Sequence, residues 1–179
     1  LLAITIFFFK DWINLIKGGF NQVFKKEKTT DGKIFWYIVA VTIPTGIVSL
    51  LLDKFSEFLC VKFGIELPLI AIMLIALGII LYIVDKKSES NIDLEKMTFK
   101  QSFLIGISQA IAAAFPGTSR SGITMTVARA LKLDRESAAK YSFLLSTPIV
   151  LAAVIFSITD FEFTLAFLAG VISSFLVGL

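Results

Sequence analysis

The hydrophobic residues of this chain fall in blocks close to the length of a bilayer crossing, with short charged segments between them. A helix needs about 20 mostly apolar residues to cross a hydrocarbon core of about 30 Å. Segments 34–52, 66–84, 136–158 and 163–179 meet or approach that length. Hydrophobic residues make up 56% of the chain and charged residues 17%. One soluble core cannot hide so much apolar surface, so lipid must act as part of the solvent. The fold class expected is all-α, a polytopic transmembrane helical bundle occupying residues 1–179 as a single membrane domain.

The layout follows from breakers and charge. Residues 1–9 read as the end of a transmembrane helix, and 10–33, which carry Lys10, Lys17, Lys25, Lys26, Lys28 and Lys33, read as a cytoplasmic linker. The span 34–52 contains Pro44-Thr45-Gly46, which predicts a kink rather than a break. A loop at 53–65 leads to the span 66–84, which ends at Tyr82 and Asp85-Lys86-Lys87, an interfacial boundary. The spans 136–158 and 163–179 are separated by the acidic turn Thr159-Asp160-Phe161-Glu162. The chain opens in a hydrophobic run without an initiator Met, so it is expected to be a fragment. No charged leader or cleavage site marks that run as a signal peptide.

Lys and Arg accumulate on the cytoplasmic side of membrane proteins. They number six in 10–33, two in 53–65, four in 85–100, four in 129–140 and none in 159–162. The two consecutive basic segments lie on one side only if 99–131 enters the membrane and returns. That stretch is apolar but short-armed, and Pro116-Gly117 breaks it midway. The arm after Gly122 has about ten residues, which as helix cover about 15 Å, half the hydrocarbon core. The expectation is a re-entrant helix-loop-helix hairpin whose irregular tip lines a site, since bare backbone is tolerated at that depth only in a protein-lined cavity.

The tip has the chemistry of an oxyanion site. An arginine deep in a membrane costs from about 3 to more than 10 kcal/mol, so Arg120 needs a partner. Thr118, Ser119 and Ser121 supply hydroxyl donors, and Gly117 lets backbone approach closely. A half-helix beginning near Gly122 points its free N–H groups and positive dipole end at the break. A guanidinium adds a bidentate fork for phosphate oxygens. A structural arginine that snorkels or pairs with a carboxylate is the bland alternative. On the preceding arm, Gln109 and Ser102 share a face from which Ser108 is rotated away. All three can be hydrogen-bonding glue between helices, and Gln109 can also face the cavity. Thr124 is a candidate phosphate ligand, and Asp134 reads as the N-cap of the next helix.

Several functions are excluded. Cys60 is alone and the chain has no histidine, so neither a disulfide within the chain nor a Cys/His zinc site can form, and Cys60 reads as inert packing. The formal charge of +3 is spread over several connectors, unlike the continuous basic patch that nucleic acid requires.

The run Gly106-Ile-Ser-Gln109-Ala-Ile-Ala-Ala-Ala-Phe-Pro116-Gly-Thr-Ser-Arg120-Ser-Gly-Ile-Thr124, followed by Arg135-Glu136-Ser-Ala-Ala-Lys-Tyr-Ser-Phe143-Leu-Leu-Ser-Thr-Pro148, resembles the second signature region of the undecaprenyl-diphosphatase family, the bacterial bacitracin-resistance phosphatases. The resemblance implies an inverted-repeat architecture in the bacterial plasma membrane, in which two re-entrant hairpins meet near mid-membrane. It implies hydrolysis of undecaprenyl diphosphate to the monophosphate, which recycles the lipid carrier of cell-wall synthesis. Arg120 and Ser119 are then the catalytic candidates, with Gly117, Thr118, Ser121, Thr124 and Gln109 binding substrate. The family's other signature supplies acidic residues, serines and a histidine and lies in the first repeat. It is absent here, and no metal ligand is assigned within this chain. A divalent cation, Mg or Ca, would be bound mainly by residues outside it, and these 179 residues alone are expected to be inactive. The expected partners are a polyprenyl diphosphate lipid and the membrane, with a homodimer admitted. The alternative from another class is a carrier or flippase for a polyprenyl-phosphate lipid, because broken helices in inverted repeats also build transporters.

Overall fold

The computed structural model describes residues 2–63, 66–157 and 164–178, and the acidic turn at 159–162 lies outside them. The described residues form helices α1 (Leu2–Phe7), α2 (Phe9–Phe24), α3 (Thr30–Phe63), α4 (Glu66–Lys87), α5 (Phe99–Ile107), α6 (Gln109–Ala114), α7 (Arg120–Ala130), α8 (Arg135–Ser157) and α9 (Leu165–Gly178). Among them the only extended pairing is a parallel bridge between Ile92 and Leu133. Three helical stretches, Thr30–Ser56, Leu67–Lys87 and Arg135–Ile155, are long and apolar enough to cross a membrane. The chain divides into two compact units, Leu1–Phe35 with Ser146–Leu179, and Trp36–Leu145.

In the first unit, the stretch read as a linker is largely helical. The chain bends at Phe8, yet Phe8 N–H still reaches the Ile4 carbonyl and Trp12 N–H reaches that of Phe8, so the ladder carries over into α2. Apolar residues recur through α2 at helical spacing and outweigh its lysines. Leu15, Gly18 and Gly19 form its buried face. A Cβ on Gly18 would stand 2.6 Å from the Gly32 nitrogen, so glycine here is what lets α2 meet the first turn of α3. Thr29 Oγ1 accepts from Gly32 N–H at 3.1 Å and caps α3.

A second correction concerns 53–65, read as a loop. Helix α3 continues to Phe63 because no glycine or proline interrupts the chain between Gly46 and Gly64. Pro44 lies inside it. The Cys60 backbone is helical, and its side chain lies outside what is described.

The second unit carries the hairpin. Thr98 begins α5 with a capping box, its hydroxyl accepting from Gln101 N–H while Gln101 Oε1 accepts from Thr98 N–H. Helix α6 ends at Phe115, whose extended backbone leads into Pro116-Gly117. Helix α7 then returns, packing along α4 and against α5 and α6. Gln101 Nε2 donates to the Leu131 carbonyl at 3.2 Å. Asn91 and Ile92 N–H donate to the Lys132 carbonyl, and Asp134 N–H donates to that of Ile92. The start of the hairpin, at Gln101 and the residues just before it, is therefore fastened to its end at Leu131 and Lys132. Asp134 caps α8, with Oδ1 accepting from Ser137 N–H at 2.7 Å and Oδ2 from the Ser137 hydroxyl at 2.9 Å.

Candidate oxyanion site at the hairpin turn

The turn between α6 and α7 is built by two residues that nothing else replaces easily. Pro116 ends the outgoing arm. Gly117 has φ +83°, and a Cβ there would stand 2.7 Å from the Ile70 Cα of α4. Only glycine fits both the left-handed backbone and the wall behind it. The turn is thus pressed against α4, which fixes where Thr118 to Ser121 lie.

Helix α7 starts at Arg120, two residues before the Gly122 start read from the sequence, because Ser119 is its N-cap. The Ser119 hydroxyl accepts from Gly122 N–H at 3.2 Å. As an acceptor it keeps its own proton to donate. Ser119 Oγ and Ser121 Oγ are 3.4 Å apart. The first N–H groups of a helix have no partner within it; that of Gly122 is taken by the Ser119 hydroxyl, and those of Arg120 and Ser121 stand at the positive end of the helix dipole. The Arg120 guanidinium is exposed and makes no hydrogen bond or ion pair among the described residues. Among the described residues no carboxylate pairs with Arg120, which leaves snorkelling as the bland alternative. Gly117, Thr118, Ser119, Arg120 and Ser121 are therefore together on one turn.

Thr124 and Gln109 are placed differently. Thr124 is buried, with Oγ1 2.5 Å from Ser142 Oγ of α8 and within reach of the Arg120 and Ser121 carbonyls at 3.0 and 3.1 Å. Its hydroxyl is committed to fastening α7 to α8. Gln109 is 3% exposed, and neither Oε1 nor Nε2 has a hydrogen-bond partner among the described residues; Thr118 Oγ1 is likewise buried and unpartnered. Ser102 meets Tyr141 Oη of α8 at 2.5 Å, and Ser108 donates to the Ile105 carbonyl at 2.6 Å. Both are glue.

Sequence reading counted Arg129 as one more connector charge, but Arg129 is 3% exposed. Its Nε donates to Asp85 Oδ1 at 2.7 Å, and its other nitrogens reach Ser90 Oγ and the Asp85, Ser88 and Leu133 carbonyls. Ser88 donates its hydroxyl to the Arg129 carbonyl, and Arg135 Nη2 donates to Asp85 Oδ2 at 2.8 Å. This knot joins the ends of α4 and α7 to the start of α8 and sets the angle at which the hairpin leaves it. One signal was legible: an aspartate in a helix's last turn opposes the dipole and asks for a cation.

Among the described residues no group of three His, Cys, Asp or Glu side chains could hold a metal ion, and the segment 115–121 holds no acid. The turn's own donors suit an anion, not a cation.

The whole chain, residues 1–179, matches the family described as "Bacitracin resistance protein BacA". An undecaprenyl-diphosphatase of Pelotomaculum thermopropionicum is 43% identical over 181 residues, covering 99% of this chain and 65% of that protein. One of Caldicellulosiruptor bescii is 44% identical over 153 residues, covering 86% of this chain and 55% of that protein. One of Desulforudis audaxviator is 37% identical over 182 residues, covering 99% and 66%. The chain thus spans less than two thirds of the length of each of these relatives.

Proposed function

The chain belongs to the bacitracin resistance protein BacA family, and from that premise and the geometry of the hairpin turn we propose that the protein is a multi-pass enzyme of the bacterial plasma membrane. It hydrolyses undecaprenyl diphosphate to undecaprenyl phosphate and inorganic phosphate, recycling the cell-wall lipid carrier and conferring bacitracin resistance. The observation that carries this reading is the unpaired Arg120 guanidinium at the N-terminus of α7, beside the Ser119 and Ser121 hydroxyls. The relatives' names speak for hydrolysis over the carrier reading.

In this reading the hairpin is re-entrant. What supports it is the fastening of its two ends through Ile92, Gln101, Leu131 and Leu133, which puts both basic connectors on one side and the Pro116-Gly117 tip away from them. Arg120 grips the diphosphate bidentately and stabilises the charge that grows on the leaving oxygen as the P–O bond breaks. Ser119 and Ser121 donate to phosphoryl oxygens, Gly117 and Thr118 shape the turn around them, and Gln109 lines the site from the outgoing arm. Thr124 acts by holding α7 against α8. The polyprenyl tail stays in lipid, and a homodimer is compatible with the scheme.

Hydrolysis also needs an activated nucleophile. The turn supplies neither histidine nor a carboxylate, and in this reading the activating base, and any Mg or Ca ion, come mainly from the part of the relatives' length that this chain does not span. The test is phosphate release from undecaprenyl diphosphate by the full-length protein in detergent. Arg120→Ala and Arg120→Lys at matched folding should both lose most activity, since lysine cannot reproduce the fork. Full activity in either variant defeats the assignment of Arg120. A wild type that binds the lipid without releasing phosphate returns the carrier reading.

A further inference from the structure

Helix α2 has three faces. Leu15, Gly18 and Gly19 form the buried one, and it packs on the start of α3, where a Cβ on Gly18 would run into Asp31 and Gly32 and one on Gly19 into the Phe35 ring. On the second face, Phe9, Ile16, Phe20 and Val23 point the same way to within about 60°. Each of these is between 42% and 57% exposed. Phe24, the next step round, is 77% exposed, and its ring stacks on that of Phe20 at 6.1 Å. The third face is polar, with Lys10, Asn14, Lys17 and Asn21 inside a further ~60°. Lys25, Lys26 and Lys28 follow directly. All five lysines are exposed, and their ammonium groups make no ion pair among the described residues. The acids between Lys10 and Lys28 are Asp11 and Glu27, and Asp11 falls on the side of the buried face.

A helix that is apolar all round, as α4 is between Leu67 and Val84, suits the hydrocarbon core. One with an exposed apolar side next to a cationic side suits the boundary between hydrocarbon and water. Helix α3 sets the level of α2, because its crossing stretch begins at Thr30 and α2 packs on Asp31, Gly32 and Phe35. The apolar stripe therefore stands beside the entry of α3 into the bilayer, and lysine stems can carry their charges from there to the headgroups. Charge selects the occupant. Clustered lysines without carboxylate partners attract an anionic surface, whereas a second copy of α2 on the stripe would set these lysines against their own kind.

We propose that α2 is an interfacial anchor for anionic phospholipid. The Phe9, Ile16, Phe20 and Val23 stripe enters the acyl chains beside the start of α3, and Lys10, Lys17, Lys25, Lys26 and Lys28 hold phosphodiester headgroups around it. Point charges on flexible stems recognise surface charge rather than one lipid species. The anchor is independent of the phosphatase reading, since it lies on α2 and uses no group of the hairpin turn.

The test uses the full-length protein in nanodiscs of phosphatidylcholine, alone or mixed equally with phosphatidylglycerol. Spin labels are placed by Phe20→Cys and Asn14→Cys in a Cys60→Ala background. The label at 20 should be relaxed more by oxygen, which concentrates in lipid, than by a nickel chelate, which stays in water, and the label at 14 should show the reverse. At low salt, wild type should unfold at a higher temperature in the mixed discs than in phosphatidylcholine. Lys10→Gln, Lys17→Gln and Lys25→Gln together should remove more than half of that gap, as should high salt, while unfolding in phosphatidylcholine stays as in wild type. A gap that survives all three substitutions overturns the proposal. So does a label at 20 that is shielded from both reagents, which would mean that protein covers the stripe, or one relaxed mainly by the nickel chelate, which would put the stripe in water.

Discussion

Arg129 Nε donates to Asp85 Oδ1 at 2.7 Å, joining the last turn of α7 to the last turn of α4, with the arginine side chain 4% exposed and the aspartate 30%. A buried charge deprived of its partner is far more damaging than a surface pair broken in water. Asp85→Ala strands Arg129 and should lower stability by about 3 kcal/mol. Arg135→Ala removes only the exposed partner and should change it by less than about 1 kcal/mol. Thermal unfolding in detergent distinguishes the two, and equal effects would mean that the knot is not where the hairpin is anchored.

The contact of Gly106 in α5 with Val41 in α3 gives a second expectation. Gly106→Ala should destabilise by about 1–3 kcal/mol through overpacking. Val41→Ala in the same chain should restore much of that loss, a coupling measurable as a double-mutant cycle in unfolding free energy. Additive losses would show that the two helices do not meet there.

Gly117→Ala confronts both a left-handed φ of +83° and the Ile70 backbone. Strain of this kind costs about 1–3 kcal/mol, and relief requires the turn to leave α4. Phosphate release should therefore fall at least tenfold even where thermal unfolding shows the protein folded. Retained activity would separate the position of the turn from the chemistry.

The Glu89 carboxyl is held below the usual carboxylate range by the hydrogen bond from Lys132 Nζ at 2.9 Å. Because the folded value is the depressed one, its contribution is present above the ordinary carboxylate range, near ~4, and is lost as pH falls through the folded value. Both side chains are exposed, so the effect is small and salt-screened. Glu89→Gln should unfold slightly earlier than wild type at neutral pH and low salt. The two should converge in acid or high salt, and a difference that persists there would assign it to another cause.

The membrane character, the Pro116-Gly117 break and the donor set at Thr118 to Ser121 were legible in the sequence, because block length, helix breakers and hydroxyl spacing are local properties. The family resemblance rested on the same local run. Local pattern also accounts for the helix to Phe63, where no breaker follows Gly46, and for that at Phe9–Phe24, where apolar spacing prevails over Gly18-Gly19 and the lysines. What only the tertiary structure decided is who meets whom. Arg120 and Arg129 are both single arginines on one short helix, and nothing local separates them. One end of α7 is exposed while the other is held at the base of the hairpin, so Arg120 has no partner among the described residues and Arg129 is locked to Asp85. Likewise α5 lies against α3 at Val41 only because Gly106 carries no Cβ. Close approach depends on the removal of one Cβ in three dimensions, and no periodicity along the chain encodes which partner will fill the space.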